Sequence, residues 1–134
     1  MKREILFRGK RKNGQWVYGS LVVSENIKPA IYYEEGKGLA KQFDWCYVNS
    51  DTIGQYTGLK DKNGNKIFEG DILTGQNCRF VVKYDERQAE FVAVNSTLPN
   101  GFGLPISQTW IDETNKIICG NIHDNPEMLK GGKR

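Results

Sequence analysis

Long apolar runs are absent from this sequence. None exceeds four residues, as in Phe91-Val92-Ala93-Val94, whereas a helical membrane span needs about 18 or more. The N-terminal Met1-Lys2-Arg3-Glu4-Ile5-Leu6-Phe7-Arg8 has a charged start but none of the roughly 7 to 15 apolar residues that a secretory signal requires. A cytoplasmic protein without membrane contact is the expectation. Cysteine and histidine are also scarce: Cys46, Cys78 and Cys119 are widely separated, no Cys-x-x-Cys occurs, and His123 is the single histidine. The usual zinc sets are thereby excluded, and free thiols in apolar strands are expected. Good helix formers are few, Ala, Leu and Met totalling 14 against 34 for Val, Ile, Phe, Tyr and Trp. The second group suits pleated surfaces, so a mainly β chain is predicted. At 134 residues the length fits one domain of roughly 150 residues, large enough to fold without metal or disulfide.

Charge is unevenly spread. Residues 1–12 carry six Lys/Arg and one Glu, residues 130–134 carry three Lys/Arg, and the rest is net acidic within a total of +3. A basic end is either a footprint for polyanions or a solvated terminus, and both readings stay open. Within it lies the clearest local unit, in which Asn13-Gly14 predicts a type I′ turn joining Ile5–Lys12 to Gln15–Val23. Trp16, Tyr18 and Ser20 alternate with Val17, Gly19 and Leu21, which predicts one aromatic and one aliphatic face.

Further strands are predicted at Ala30–Tyr33, Phe43–Val48, Ile53–Thr57, Lys66–Thr74, Arg79–Tyr84, Glu90–Val94 and Lys116–Gly120, each bounded by Gly, Asn or Asp. Asn63-Gly64 marks a second turn, and Asp85-Glu86-Arg87-Gln88 a reversal. Ser96–Ser107 contains Pro99 and Pro105, cannot be a central strand, and reads as a surface loop. The end alone looks helical, with Asn125 as N-cap, Pro126 in the first turn and Gly131-Gly132 as stop.

Arg8-Gly9-Lys10 with Gly14 and Trp16-Val17-Tyr18-Gly19, the block GQYTGLKDKNGNKIFEGDIL (Gly54 to Leu73), and CGNIHDNPEML (Cys119 to Leu129) together closely resemble the YopX family of bacteriophage and prophage proteins. The resemblance spans essentially the whole chain, and the central block is its specific part. It implies a phage or prophage origin and a barrel of SH3-like type, here over Ile53 to Val94, extended by the N-terminal hairpin region of residues 1–50 and closed by a helix at Asn125–Lys130. It carries no catalytic residues to transfer.

Chemistry-bearing patterns are sparse. Asp61-Lys62-Asn63-Gly64-Asn65 has its glycine fourth and Ile72 at position twelve, so it reads as a turn and not an EF-hand calcium loop. Glu69 and Asp71, two apart, would share one strand face, yet Gly70-Asp71 reads better as a bend in which Asp71 accepts backbone N–H bonds. His123 beside Asp124 lacks an activated Ser or Cys motif, and Cys119 reads as a buried thiol. No catalytic, cofactor or metal set is assigned. The expected function is a non-catalytic protein-binding or adaptor module for a host or phage partner, with self-association through sheet edges. The alternative is nucleic-acid binding, with Arg3, Arg8, Lys10, Arg11 and Lys12 on phosphates and Trp16 or Tyr18 as a stacking face.

Overall fold

The computed structural model describes residues 2–96 and 103–129, and the chain divides into two compact units, Met1–Tyr56 and Thr57–Arg134. The first unit holds β1 (Phe7–Lys10), β2 (Trp16–Ser24), β3 (Ile27–Glu35) and β4 (Gln42–Tyr47), and β5 (Gly54–Lys60) begins in it and runs on into the second. Its strands are antiparallel in the order β4-β3-β2-β1-β5. The predicted alternation holds: Val17 is buried in a cluster with Ile31 and Val48, joined by Leu21, Tyr33, Cys46 and Ile53, while Trp16 and Tyr18 project to the opposite face. The first strand is anchored at its end by Thr52 Oγ1, which accepts from the Lys10 N–H at 2.8 Å and donates to the Asn49 carbonyl at 2.6 Å.

The β1–β2 hairpin forms, but not through a type I′ turn. Gly14 N–H donates to the Arg11 carbonyl and Arg11 N–H to the Gln15 carbonyl, and only Gly14 has positive φ, at 88°. This is a three-residue loop, a type I turn followed by a left-handed glycine. The same Lys-Asn-Gly loop recurs at Lys62-Asn63-Gly64, with Gly64 at φ 88° and bonds between Gly64 and Asp61 and between Asp61 and Asn65. In β3 the strand extends well before Ala30, because the β2–β3 register shifts between Val22 and Ser24 and so accommodates Pro29, which has no N–H to pair.

The second unit contains β6 (Lys66–Phe68), which pairs with the later part of β5, then β7 (Asp71–Gly75), β8 (Cys78–Asp85), β9 (Glu90–Asn95), β10 (Gly103–Pro105), α1 (Gln108–Glu113) and β11 (Ile117–Asn121). Strands β7 to β11 form an antiparallel sheet in the order β10-β9-β8-β7-β11. Its core is Ile67, Leu73, Phe80, Val82, Ala93 and Ile111. The protein is thus mainly β. Among the described residues no closed barrel is detected: the sheet of the second unit ends at β10 and β11, and the start of β5 pairs with β1, with Phe7 opposite Gln55. The reversal at Asp85 is present, its Oδ1 accepting from Arg87 and Gln88 N–H.

Four further expectations need correcting. Lys66–Thr74 is two strands separated by a turn at Glu69-Gly70. Within Ser96–Ser107, Gly103–Pro105 is an edge strand on β9, a position where proline is tolerated; residues 97–102 lie outside the described residues. A helix that the sequence reading left out, α1, is capped by Ser107, whose Oγ accepts from Trp110 N–H at 3.1 Å. The terminal helix is a 3-10 turn, Pro126–Leu129, and Asn125 Oδ1 accepts from Asn121 N–H; Lys130 lies outside the described residues.

Candidate binding face on the first unit

Strand alternation divides the side chains of the first unit. Lys10 is opposite Trp16 and Arg8 opposite Tyr18 in the β1–β2 ladder. Ser20 is opposite Tyr32, which is opposite Trp45, and Val22 is opposite Ala30, which is opposite Tyr47. With a period of two, all of these share the face turned away from the Val17–Ile31–Val48 cluster. Tyr18, Tyr32, Trp45 and Tyr47 are between 41% and 48% exposed, which makes this face an open aromatic surface. Tyr32 and Trp45 rings lie 6.0 Å apart at 22°, and Trp45 meets Tyr47 edge-on at 5.1 Å. Beside them is a groove of about 190 Å³ lined by Val22, Ser24, Ile27, Lys28 and Ala30 together with these three rings.

The predicted hairpin residues are only partly brought together. Arg8 is buried, its Cζ 4.6 Å from the Trp16 ring centroid, and Lys10 Nζ is 5.6 Å from the same ring. Both contacts are of cation–π type, so Trp16 is already engaged by its own strand neighbours. Arg11 falls on the other face, where Nη2 donates to the Tyr33 hydroxyl at 2.7 Å. Desolvation pushes the Tyr33 phenol above its ordinary value, against the opposing charge of Arg11. Arg3 and Lys12 are exposed, as is Tyr18. Hairpin reasoning missed the groove because Tyr32, Trp45 and Tyr47 come together only through β3–β4 pairing. The available signal was the spacing of two in Ala30/Tyr32 and Trp45/Tyr47.

Asp61 and Asp71 of the second unit are held by backbone N–H groups. Asp61 is buried, accepting from the N–H groups of Asn63 (3.0 Å), Asn65 (2.8 Å) and Ile118 (3.0 Å). Burial acts to raise its pKa, but these bonds outweigh it and hold the carboxyl below its ordinary value. The turn reading of this segment is the one the geometry supports. Asp71 opens β7, is buried, and its Oδ2 accepts from Phe68 N–H at 2.7 Å. Glu69 lies outside the strand, so the two acids do not share a strand face. Cys46, Cys78 and Cys119 are free thiols. Burial pushes the Cys119 thiol up, and it contacts the Ile72 carbonyl and the Met128 sulfur. Among the described residues no three His, Cys, Asp or Glu side chains are grouped to hold a metal, and no helix is long and apolar enough to cross a membrane.

Comparison with known proteins agrees with this architecture. Protein EF1440 from Enterococcus faecalis, known from a crystal structure, superposes with a TM-score of 0.65 at 24% identity, covering 95% of this chain and 99% of that one. The likeness is one of fold. No curated protein matches the chain. The family profile described as YopX protein matches residues 6–130. Nearly the full length is thereby accounted for, and the chain belongs to the YopX family.

Proposed function

We propose that this protein is a non-catalytic binding module that docks a host or phage protein on the aromatic face of its first unit. The supporting observation is the exposed Tyr32–Trp45–Tyr47 group around its groove. Aromatic side chains bring large contact area at low entropic cost and are enriched where proteins meet. A phage or prophage setting in the bacterial cytoplasm completes this reading, as do self-association through the edge strands β4 and β10 and an SH3-like description of the second unit. The last rests on strand order: four successive strands β7 to β10, a short helix, then β11 returning to pair with β7. Affinity capture from host lysate, with and without phage induction, tests the docking role. A partner retained by the native chain and lost with Trp45→Ala is the expected result; capture indifferent to Trp45 would overturn it.

Nucleic-acid binding is the second reading, favoured by Lys10 and Tyr18 sharing the aromatic face. It is weakened by the engagement of Arg8 and Lys10 on Trp16 and of Arg11 on Tyr33, which leaves Arg3 and Lys12 for phosphates. Binding to single-stranded DNA with a steep salt dependence would support it, since each neutralised phosphate releases counterion.

A further inference from the structure

We infer that the groove of the first unit takes an extended, proline-containing segment of a partner protein with acidic residues beside the prolines. This deepens the docking reading above and rests on it. Three features lead to this occupant. The first is shape. At about 190 Å³ the groove is smaller than the roughly 300 Å³ at which small-molecule pockets begin. One wall is formed by aromatic rings from adjacent strands, in register through the Tyr32–Trp45 and Ala30–Tyr47 pairs. Aromatic-lined grooves receive polyproline II segments, whose ordering entropy is small because the conformation already exists in the free peptide.

The second feature is the polarity of the lining. Ser24 and the tyrosines carry hydroxyls, Trp45 carries an indole N–H and Lys28 an ammonium. Each of these polar side chains can donate, Ser24 Oγ also accepting from the Asn26 N–H at 3.4 Å, and among the described lining residues none is a carboxylate or an amide. A polyproline II segment is the complementary case, since its backbone carbonyls are unpaired and its prolines offer no N–H. The third feature is charge. Among the described residues Lys28 is the one charged side chain lining the groove, and it is exposed, while Glu34 lies 3.6 Å from Lys41. An acidic neighbour of the prolines matches Lys28. A nucleic-acid strand would ask for several cations along the same path.

Display of random peptides, panned against the full-length chain, tests the assignment. Enrichment of proline segments flanked by Asp or Glu is expected, with affinity falling about tenfold or more in Trp45→Ala, as for a buried aromatic anchor. Lys28→Glu, a change at an exposed side chain, should reverse the acidic preference without unfolding the protein, and Tyr84→Ala on the second unit should change nothing. Selection of proline-free peptides that still depend on Trp45 would overturn the proline assignment and leave the docking reading standing. Failure to select any Trp45-dependent peptide would overturn both. Displacement of the selected peptide by oligothymidylate would transfer the face to nucleic acid and overturn the inference.

Discussion

Replacing Asp61 by alanine should unfasten the turn that joins β5 to β6. The residue is only 4% exposed, and its carboxylate accepts three backbone N–H bonds, two within its own loop and one from Ile118 at the start of β11, 57 residues away. A hydrogen bond to a charged group contributes about 1.5 to 3 kcal/mol, and each buried donor left unmade costs about 1 to 3 kcal/mol. Water reaches the Asn63 side of the loop more easily than the Ile118 side, since Asn63 is exposed. The net loss for Asp61→Ala is therefore taken as about 3 kcal/mol. Asp61→Asn keeps one carbonyl acceptor and should lose about half as much. The sign of the pH effect follows from the depressed pKa: the stabilisation is present above the unfolded value of about 3.9 and lost as pH falls through the lower folded value. Urea unfolding of the native and variant proteins at neutral pH, repeated in acid, measures both. A loss under about 0.5 kcal/mol for Asp61→Ala, the level of an ordinary surface substitution, would refute the reasoning.

Other consequences are open to equally direct tests. A Cβ at Gly19 would lie 2.0 Å from the Tyr32 carbonyl oxygen, so Gly19→Ala should destabilise by about 3 kcal/mol through overpacking; thermal unfolding near the native midpoint would contradict the close approach of β2 to β3. Lys116 is buried with its ammonium 5.1 Å from the Trp110 ring and 5.4 Å from the Phe80 ring, and desolvation holds its pKa down while Cys78 pulls it up. The penalty is present while both states are charged and is relieved as pH rises from the folded pKa toward about 10.4. Lys116→Met should match or exceed native stability at neutral pH and lose part of the alkaline gain; a marked loss at neutral pH would show that the ring contacts outweigh desolvation. If DNA is bound, Arg3→Glu with Lys12→Glu should flatten the salt dependence, whereas Arg8→Ala should chiefly lower stability, and a slope flattened by Arg8→Ala as well would show that Arg8 meets phosphate.

Local chemistry was the legible part of the sequence. Alternation in Trp16–Leu21 was enough to place the aromatic and aliphatic faces of β2, and the Asp61 loop was readable as a turn because its glycine sits where a left-handed residue closes a hairpin. The turn type was misjudged at Asn13-Gly14 because the dipeptide suits both a two-residue and a three-residue loop, and only the Arg11–Gln15 pairing distinguishes them. Longer-range facts were not legible. Partition of β5, which begins on β1 and ends on β6, is decided by tertiary pairing. The six residues of α1 are too few for a helical period and are held by the Ser107 cap and by burial of Ile111. Tyr32, Trp45 and Tyr47 were visible as residues, but their assembly needed the β3–β4 register.

The central claim is that partners meet the aromatic face of the first unit. Photo-crosslinking in the bacterial host tests it most directly, with benzoylphenylalanine placed at Tyr47 in one protein and at the equally exposed Tyr84 of the second unit in another. The account predicts a discrete adduct from position 47, lost on Trp45→Ala, and none from position 84; adducts from position 84 alone would contradict it.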